Sequence, residues 1–365
     1  MYERQASRSR ITRRNLLLTA AAGTATAALA ACRSSNSGGG ATSTSSGPVS
    51  SGAVGAAPKL AVPAAMTPAS QVMNWFAQSA HGGQFAATMD GSYEKLNLKM
   101  TTEQGGPNVP VIPLLASGKY TFGMLSSDQV LLARQDGVPL VGVFAPFQQA
   151  LSGLMYHQSH PLSGFQDLQG RKVYVTATSD YWLYIVKKFN LDKAQQMTYN
   201  GQLQNFLADE TAVQQCFVSS EPLAAKKQGV QVGYLKVADS GFNTYSDMMT
   251  TTEQVIKEKP ELVQAFVAGS LAGWKTFVAD PTATLAYIKS LNKDTDLDLS
   301  TQAAAIEKPF TLGPTGDTKV IGTLTEQRFK DLHDQLRTVG LLKADIDYKA
   351  AFNSSFIDAA QRAST

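Results

Sequence analysis

Short apolar runs alternate with amphipathic stretches from about residue 60 to about residue 360. Residues 71–76 (QVMNWF) read as a strand, Gly82-Gly83 as a turn, and QFAATMDGSYEKL as a helical stretch broken by Gly91. Residues 98–103 alternate weakly as a second strand, and GGPN turns the chain into an apolar-faced helix over 109–117. A short strand over 122–125 runs into Ser126-Ser127-Asp128, a helix start, and 138–144 is a further strand. The pattern then restarts. Strands are expected at 154–157, 171–176, 196–199 and 215–218, with helical segments at 165–170, 179–189 and 203–209. Long amphipathic stretches follow over 253–286, with a break near Asp280-Pro281, and over 324–339. Strands alternating with short helices predict an α/β architecture with a largely parallel sheet, in two successive series.

In open α/β sheets ligands gather at the carboxyl ends of strands, beside helix N-termini. Three such junctions stand out: 75–84, 125–128 and 176–181. Facing one another across two lobes, they would enclose a cleft.

The N-terminus changes the compartment. A basic stretch ends in Arg13-Arg14, and an apolar, small-residue run follows to Ala31. Thr and Gly dilute that run below a confident membrane span, so residues 1–31 read as a signal peptide. The arginine pair resembles a twin-arginine export signal, although Leu18 stands where a basic residue is usual. Leu29-Ala30-Ala31-Cys32 resembles a bacterial lipobox, which implies lipidation of Cys32 and anchoring at the outer face of the membrane. Residues 32–60 are rich in Gly, Ser and small side chains and read as a flexible tether. Of the two cysteines, acylation of Cys32 leaves only Cys216, which excludes an internal disulfide and a cysteine-based metal site.

Composition narrows the function. With 43% hydrophobic and 17% charged residues and a net charge of +3, the chain has no basic block interleaved with aromatics, so no nucleic-acid partner is expected. The four histidines have no metal-ligand spacing. There is no dinucleotide fingerprint, phosphate-binding loop or nucleophile–base set, which argues against an enzyme and against a cofactor.

The candidate ligand contacts come from the strand–helix junctions. Trp75 and Phe76 offer stacking, though one of two adjacent strand residues must face inward. His81 offers a ring nitrogen to a heterocycle, and Phe85 an additional ring. Ser127 and Asp128 are ligand contacts or helix caps, and the same choice holds for Thr176 and Thr178. Tyr181 and Trp182 start the next helix, one toward the cleft and the other toward the core. Gln148 sits between the two series, Glu221 precedes Pro222, and Asn243 and Tyr245 close a Gly-Phe-Asn-Thr-Tyr segment.

Several ordered pieces carry a family resemblance. They are Asn74-Trp75-Phe76 with His81 and Phe85; Leu115-Ala116-Ser117-Gly118-Lys119 with Phe122-Gly123; and Gly164-Phe165, Asp167-Leu168 and Gly170-Arg171-Lys172-Val173. Ser219-Ser220-Glu221-Pro222 and Gly273-Trp274 complete the set. Together, over roughly 72–287, the chain resembles the periplasmic solute-binding proteins of ABC importers in the nitrate/sulfonate/thiamine-precursor (NMT1/THI5-like) group. It departs from that pattern where Ala177-Thr178-Ser179-Asp180 replaces a glycine-rich helix start and where Ser219 replaces an asparagine. The resemblance implies the type II periplasmic binding protein fold, with two lobes and a cleft between them. It implies lobe 1 over 61–150, lobe 2 over 151–250, and a helical return over 251–365. It further implies capture of a small aromatic heterocycle, thiamine-pyrimidine-precursor-like or flavin-like, for a permease and its ATPase. The alternative is nitrate or an alkylsulfonate.

The N-terminal reading makes a direct prediction. Replacing Cys32 with Ser should release the chain from the membrane fraction and abolish lipid incorporation. Equally tight membrane retention of a lipid-free parent and variant would refute it.

Overall fold

The computed structural model describes residues 60–177, 179–343 and 345–364; the targeting segment, Cys32, the tether up to residue 59, and Thr178 lie outside the described residues. Ten strands run in chain order: β1 Thr67–Val72, β2 Leu98–Glu103, β3 Phe122–Leu125, β4 Leu140–Phe144, β5 Ser152–His157, β6 Lys172–Val175, β7 Gln195–Thr198, β8 Val213–Phe217, β9 Val232–Lys236 and β10 Met248–Thr252. Twelve α-helices connect and flank them. Those up to the second sheet's end are α1 Gly82–Met89, α2 Val111–Ala116, α3 Ser127–Gln135, α4 Asp180–Phe189, α5 Gln204–Ala208 and α6 Glu221–Lys227. The rest are α7 Glu253–Glu258, α8 Pro260–Ala279, α9 Thr282–Leu291, α10 Leu297–Leu312, α11 Glu326–Thr338 and α12 Ser355–Ala363.

The strands form two five-stranded sheets, ordered β2-β1-β3-β10-β4 and β7-β6-β8-β5-β9. Each is mixed: four strands share one direction and one runs against them. In the first, β10 runs antiparallel between β3 and β4; in the second, β5 runs antiparallel between β8 and β9. The reason is the chain's path. It leaves the first sheet after β4, builds the second, and returns as β10 into the slot between β3 and β4. Residues 145–151 and 237–247 are therefore the crossovers between two lobes, with α7 to α12 following the return.

Local signals explain many boundaries. The Ser126–Gln129 capping box starts α3: the Gln129 side chain accepts the Ser126 amide at 3.1 Å. Every residue of β3 and β4 is buried, β3 inside the sheet and β4 at its edge, in keeping with their continuous apolar runs. The strand expected over 71–76 instead ends at Val72, so Trp75 and Phe76 lie beyond it. Gly82-Gly83 is the first turn of α1, not a separate turn. Gly83 and Gly273 are needed where α1 meets α8: a Cβ on Gly83 would stand 2.1 Å from Trp274, and one on Gly273 would stand 2.3 Å from the Gly83 carbonyl oxygen. Helix α8 carries thirteen buried residues and forms the spine of the first lobe's core, where Phe266 stacks on Phe122 at 3.6 Å.

Helix α10 joins the lobes through one buried carboxyl group. Glu307 Oε1 accepts from Ser79 Oγ at 2.9 Å, beside α1, and from Ser219 Oγ at 2.7 Å, between β8 and α6. Burial, with a smaller contribution from the charge of Asp247, lifts the Glu307 carboxyl to about 8.

Two expectations follow. Gly273→Ala must move backbone, not a flexible side-chain tip, and should cost about 1–3 kcal/mol in urea unfolding. A loss below about 0.5 kcal/mol would contradict this close approach. For Glu307, the folded chain retains a proton that the unfolded chain releases between pH 4.5 and about 8. Its contribution is thus complete below the lower value and is lost as pH rises through the upper one. The parent's stability relative to Glu307→Gln should fall across that window; a flat difference would refute it.

Candidate functional site

The carboxyl ends of β1, β3, β6 and β8 border a cavity of about 360 Å³ between the two sheets. The first lobe supplies Asn74, Trp75 and Gln78 after β1, an apolar wall of Pro110–Pro113, and Ser126, Asp128 and Gln129 at the start of α3. The second lobe supplies Thr176, Ser179 and Tyr181 at the start of α4, Gln215–Phe217 at the end of β8, and Glu221 at the start of α6. Thr244 and Ser246 of the second crossover complete the wall.

An aromatic pair spans the lobes. Trp75 of the first lobe faces Tyr199 of the second with centroids 6.3 Å apart and planes within 9°. The Tyr199 hydroxyl donates to Glu221 Oε1 at 3.0 Å, and the Phe217 amide donates to Glu221 Oε2 at 2.8 Å. Glu221 thereby anchors one ring of the pair while lining the cavity. Burial raises its pKa above the usual carboxylate range, opposed by backbone amides and by the Tyr199 hydroxyl.

The other wall is also acidic. Asp128 Oδ1 accepts from Thr244 Oγ1 at 2.7 Å, and burial raises its pKa. Asp180, on the opposite lobe, is lifted to about 7, first by burial and then by the charge of Asp128. Among the described lining residues the charged side chains are Asp128 and Glu221, with no Lys, Arg or His. Polar groups at the start of α4 are already engaged: Gln215 Oε1 accepts the Thr176 amide at 2.6 Å and the Ser179 hydroxyl at 3.1 Å.

The described sequence candidates take different places. Trp75, Asp128, Thr176, Tyr181 and Glu221 meet at the cavity wall. Phe85 and Trp182 are buried in the apolar cores of the first and second series, because their helices turn them inward; Phe76 is 42% exposed at the rim. His81 is fully buried behind the site. Its Nε2 lies 3.1 Å from Asn74 Oδ1, the Asn74 amide donates to Asp247 at 3.0 Å, and burial pushes the imidazole down to about 3. It can therefore orient Asn74 as a neutral ring, away from the cavity. Ser127, Gln148, Asn243 and Tyr245 gather at the crossovers, none of them on the cavity wall.

Tyr199, Asn74, Gln129 and Gln215 were absent from the sequence-based site. Tyr199 has a legible signal: it directly follows β7, at another strand's carboxyl end. Gln215 has none, since an isolated glutamine in a strand does not reveal which face it takes.

Residues 78–284 match the family described as "NMT1/THI5 like". The riboflavin-binding protein RibY of Chloroflexus aurantiacus is 28% identical over 246 residues, covering 65% of this chain and 70% of that protein. The formylaminopyrimidine-binding protein of Halalkalibacterium halodurans is 21% identical over 224 residues, covering 59% and 67% respectively. The solved alkanesulfonate-binding protein SsuA of Xanthomonas axonopodis pv. citri superposes with a TM-score of 0.62 at 13% identity, over 80% of this chain and all of that one. At that identity the likeness establishes the fold, a two-lobed type II periplasmic binding protein fold. With the family match extending over more than half its length, this chain belongs to the NMT1/THI5-like family.

Proposed function

We propose that this chain is the solute-binding component of an ABC importer and captures a small aromatic heterocycle between its lobes. The observation that carries the reading is the parallel Trp75–Tyr199 pair, one ring from each lobe, with Glu221 bonded to the tyrosine. A flat ring inserted between two parallel rings needs their planes about 7 Å apart, two contact layers of about 3.5 Å each. Their centroids, 6.3 Å apart, lie within the roughly 4.5–7 Å spread of an offset-stacked pair, so the lobes must open for a ring to enter between the two, and reclosure would grip it. Offset stacking contributes about 0.5–1.5 kcal/mol per ring pair beyond area burial.

The acidic lining suits amino or ring N–H groups, since a hydrogen bond to a charged group contributes about 1.5–3 kcal/mol. Riboflavin and formylaminopyrimidine, the ligands named for two relatives, both present a flat ring system and N–H donors. Delivery to a permease and its ATPase, export, and anchoring through Cys32 belong to the same proposal. Binding without turnover agrees with the missing nucleophile and cofactor motifs.

The alternative ligand is nitrate or an alkylsulfonate. It draws on the Thr176 amide and the Ser179 hydroxyl beside α4, and it needs both freed from Gln215.

Calorimetric titration of the ligand-stripped protein with riboflavin, formylaminopyrimidine, nitrate and taurine separates the two. A heterocycle should bind. Trp75→Ala and Glu221→Gln should each weaken it by more than about 1 kcal/mol, roughly fivefold. Tight binding of nitrate or taurine with both heterocycles silent would overturn the reading.

A further inference from the structure

Arg328 belongs to α11, beyond both sheets in sequence, yet its guanidinium touches both crossovers. From the first crossover, the Gln148 carbonyl accepts from Nη1 at 2.8 Å. From the second, the Asn243 carbonyl accepts from Nε at 2.8 Å, the Asn243 side-chain oxygen from Nη2 at 3.0 Å, and the Thr244 carbonyl from Nη2 at 2.6 Å. The guanidinium carbon lies 3.8 Å from the centroid of the Tyr245 ring, also in the second crossover. No carboxylate forms an ion pair with Arg328 among the described residues. The planar fork is matched instead to carbonyls and a ring, partners that use its geometry as well as its charge.

The same segment forms part of the cleft wall. Thr244 donates to Asp128, its hydroxyl lies 2.8 Å from Ser127 Oγ, and Ser127 Oγ accepts the Tyr245 amide at 3.0 Å. Thr244 and Asp128 line the cavity; Arg328 does not. Hinge closure in two-lobed binding proteins concentrates backbone rotation in a few crossover residues. A group bonded to both crossovers sets their spacing and hence the angles the lobes can adopt.

The geometry points to Arg328 as the positioning residue of the hinge: its fork joins the two interlobe crossovers and, through Thr244, holds Asp128 of the cleft wall in place. Its effect on a ligand rests on the heterocycle reading; its effect on lobe placement does not.

The test therefore begins without ligand. Spin labels are attached through unnatural amino acids at the exposed positions Lys99 and Lys193, one per lobe, leaving both cysteines untouched. The parent should give a narrow interlobe distance distribution. Arg328→Ala should broaden it, and millimolar methylguanidinium, but not methylammonium, should narrow it again. Arg328→Lys keeps the charge without the fork and should remain broadened, so it carries the test if the alanine variant does not fold. A parent-like distribution in Arg328→Lys, or equal rescue of the alanine variant by both cations, overturns the proposal. With riboflavin as probe, Arg328→Ala should bind about threefold to tenfold more weakly as the competent arrangement becomes less populated. Riboflavin silent with parent and variants alike counts against the heterocycle reading, while the distances still decide the role of Arg328.

Discussion

A chain that passes twice between two sheets must bury irregular backbone at the crossings, and each buried carbonyl and amide there requires a partner. This constraint organises the centre of the molecule. The first crossover satisfies its groups against the later chain: the Ala145 amide donates to Gly322 and the Gln148 amide to Phe310. The second is held by Ser127, whose amide and hydroxyl pair with the carbonyl and amide of Tyr245. Arg328 then joins the two. The long C-terminal helical region is thus more than a cover for the first lobe, since it supplies partners for backbone that neither sheet can satisfy.

Buried carboxyl groups extend the same network. Glu307 connects Ser79 with Ser219, Asp247 takes the Asn74 amide, and Asp128 takes the Thr244 hydroxyl. Burial raises the pKa of all three, and none of them forms an ion pair among the described residues. The interlobe region consequently favours protonated carboxyls. Ser219 holds Glu307 two residues before Glu221, which lines the cavity, so the lobe connection and the ligand wall share one short turn.

Sequence candidates that miss the cavity are nevertheless informative. Gln148, Asn243 and Tyr245 all fall on crossovers and all touch Arg328. Polar and aromatic residues in a segment linking two lobes read equally as ligand contacts or as hinge partners. What separates the two roles is an arginine 83 to 180 residues away in sequence. His81 presents a similar case: a loop histidine beside an aromatic pair suggests a ligand contact, but the packing of α1 buries it behind Asn74.

The amino-acid pattern alone determined the alternation of strands and helices, the restart near residue 150, the strand–helix junctions that carry Trp75, Asp128, Thr176 and Tyr181, and the turn that carries Glu221 before Pro222. These rest on local physics: apolar periodicity, capping at Ser126, and turns that stop strands. Tertiary structure alone decided that β10 returns between β3 and β4, because a short Met-Met-Thr-Thr-Thr run becomes a central strand only when two others flank it. It also decided that Trp75 faces Tyr199, that Gln215 occupies the Thr176 amide, and that Arg328 lies between the crossovers. Each pairing joins residues distant in sequence, where no local period reports which face or partner a side chain will meet.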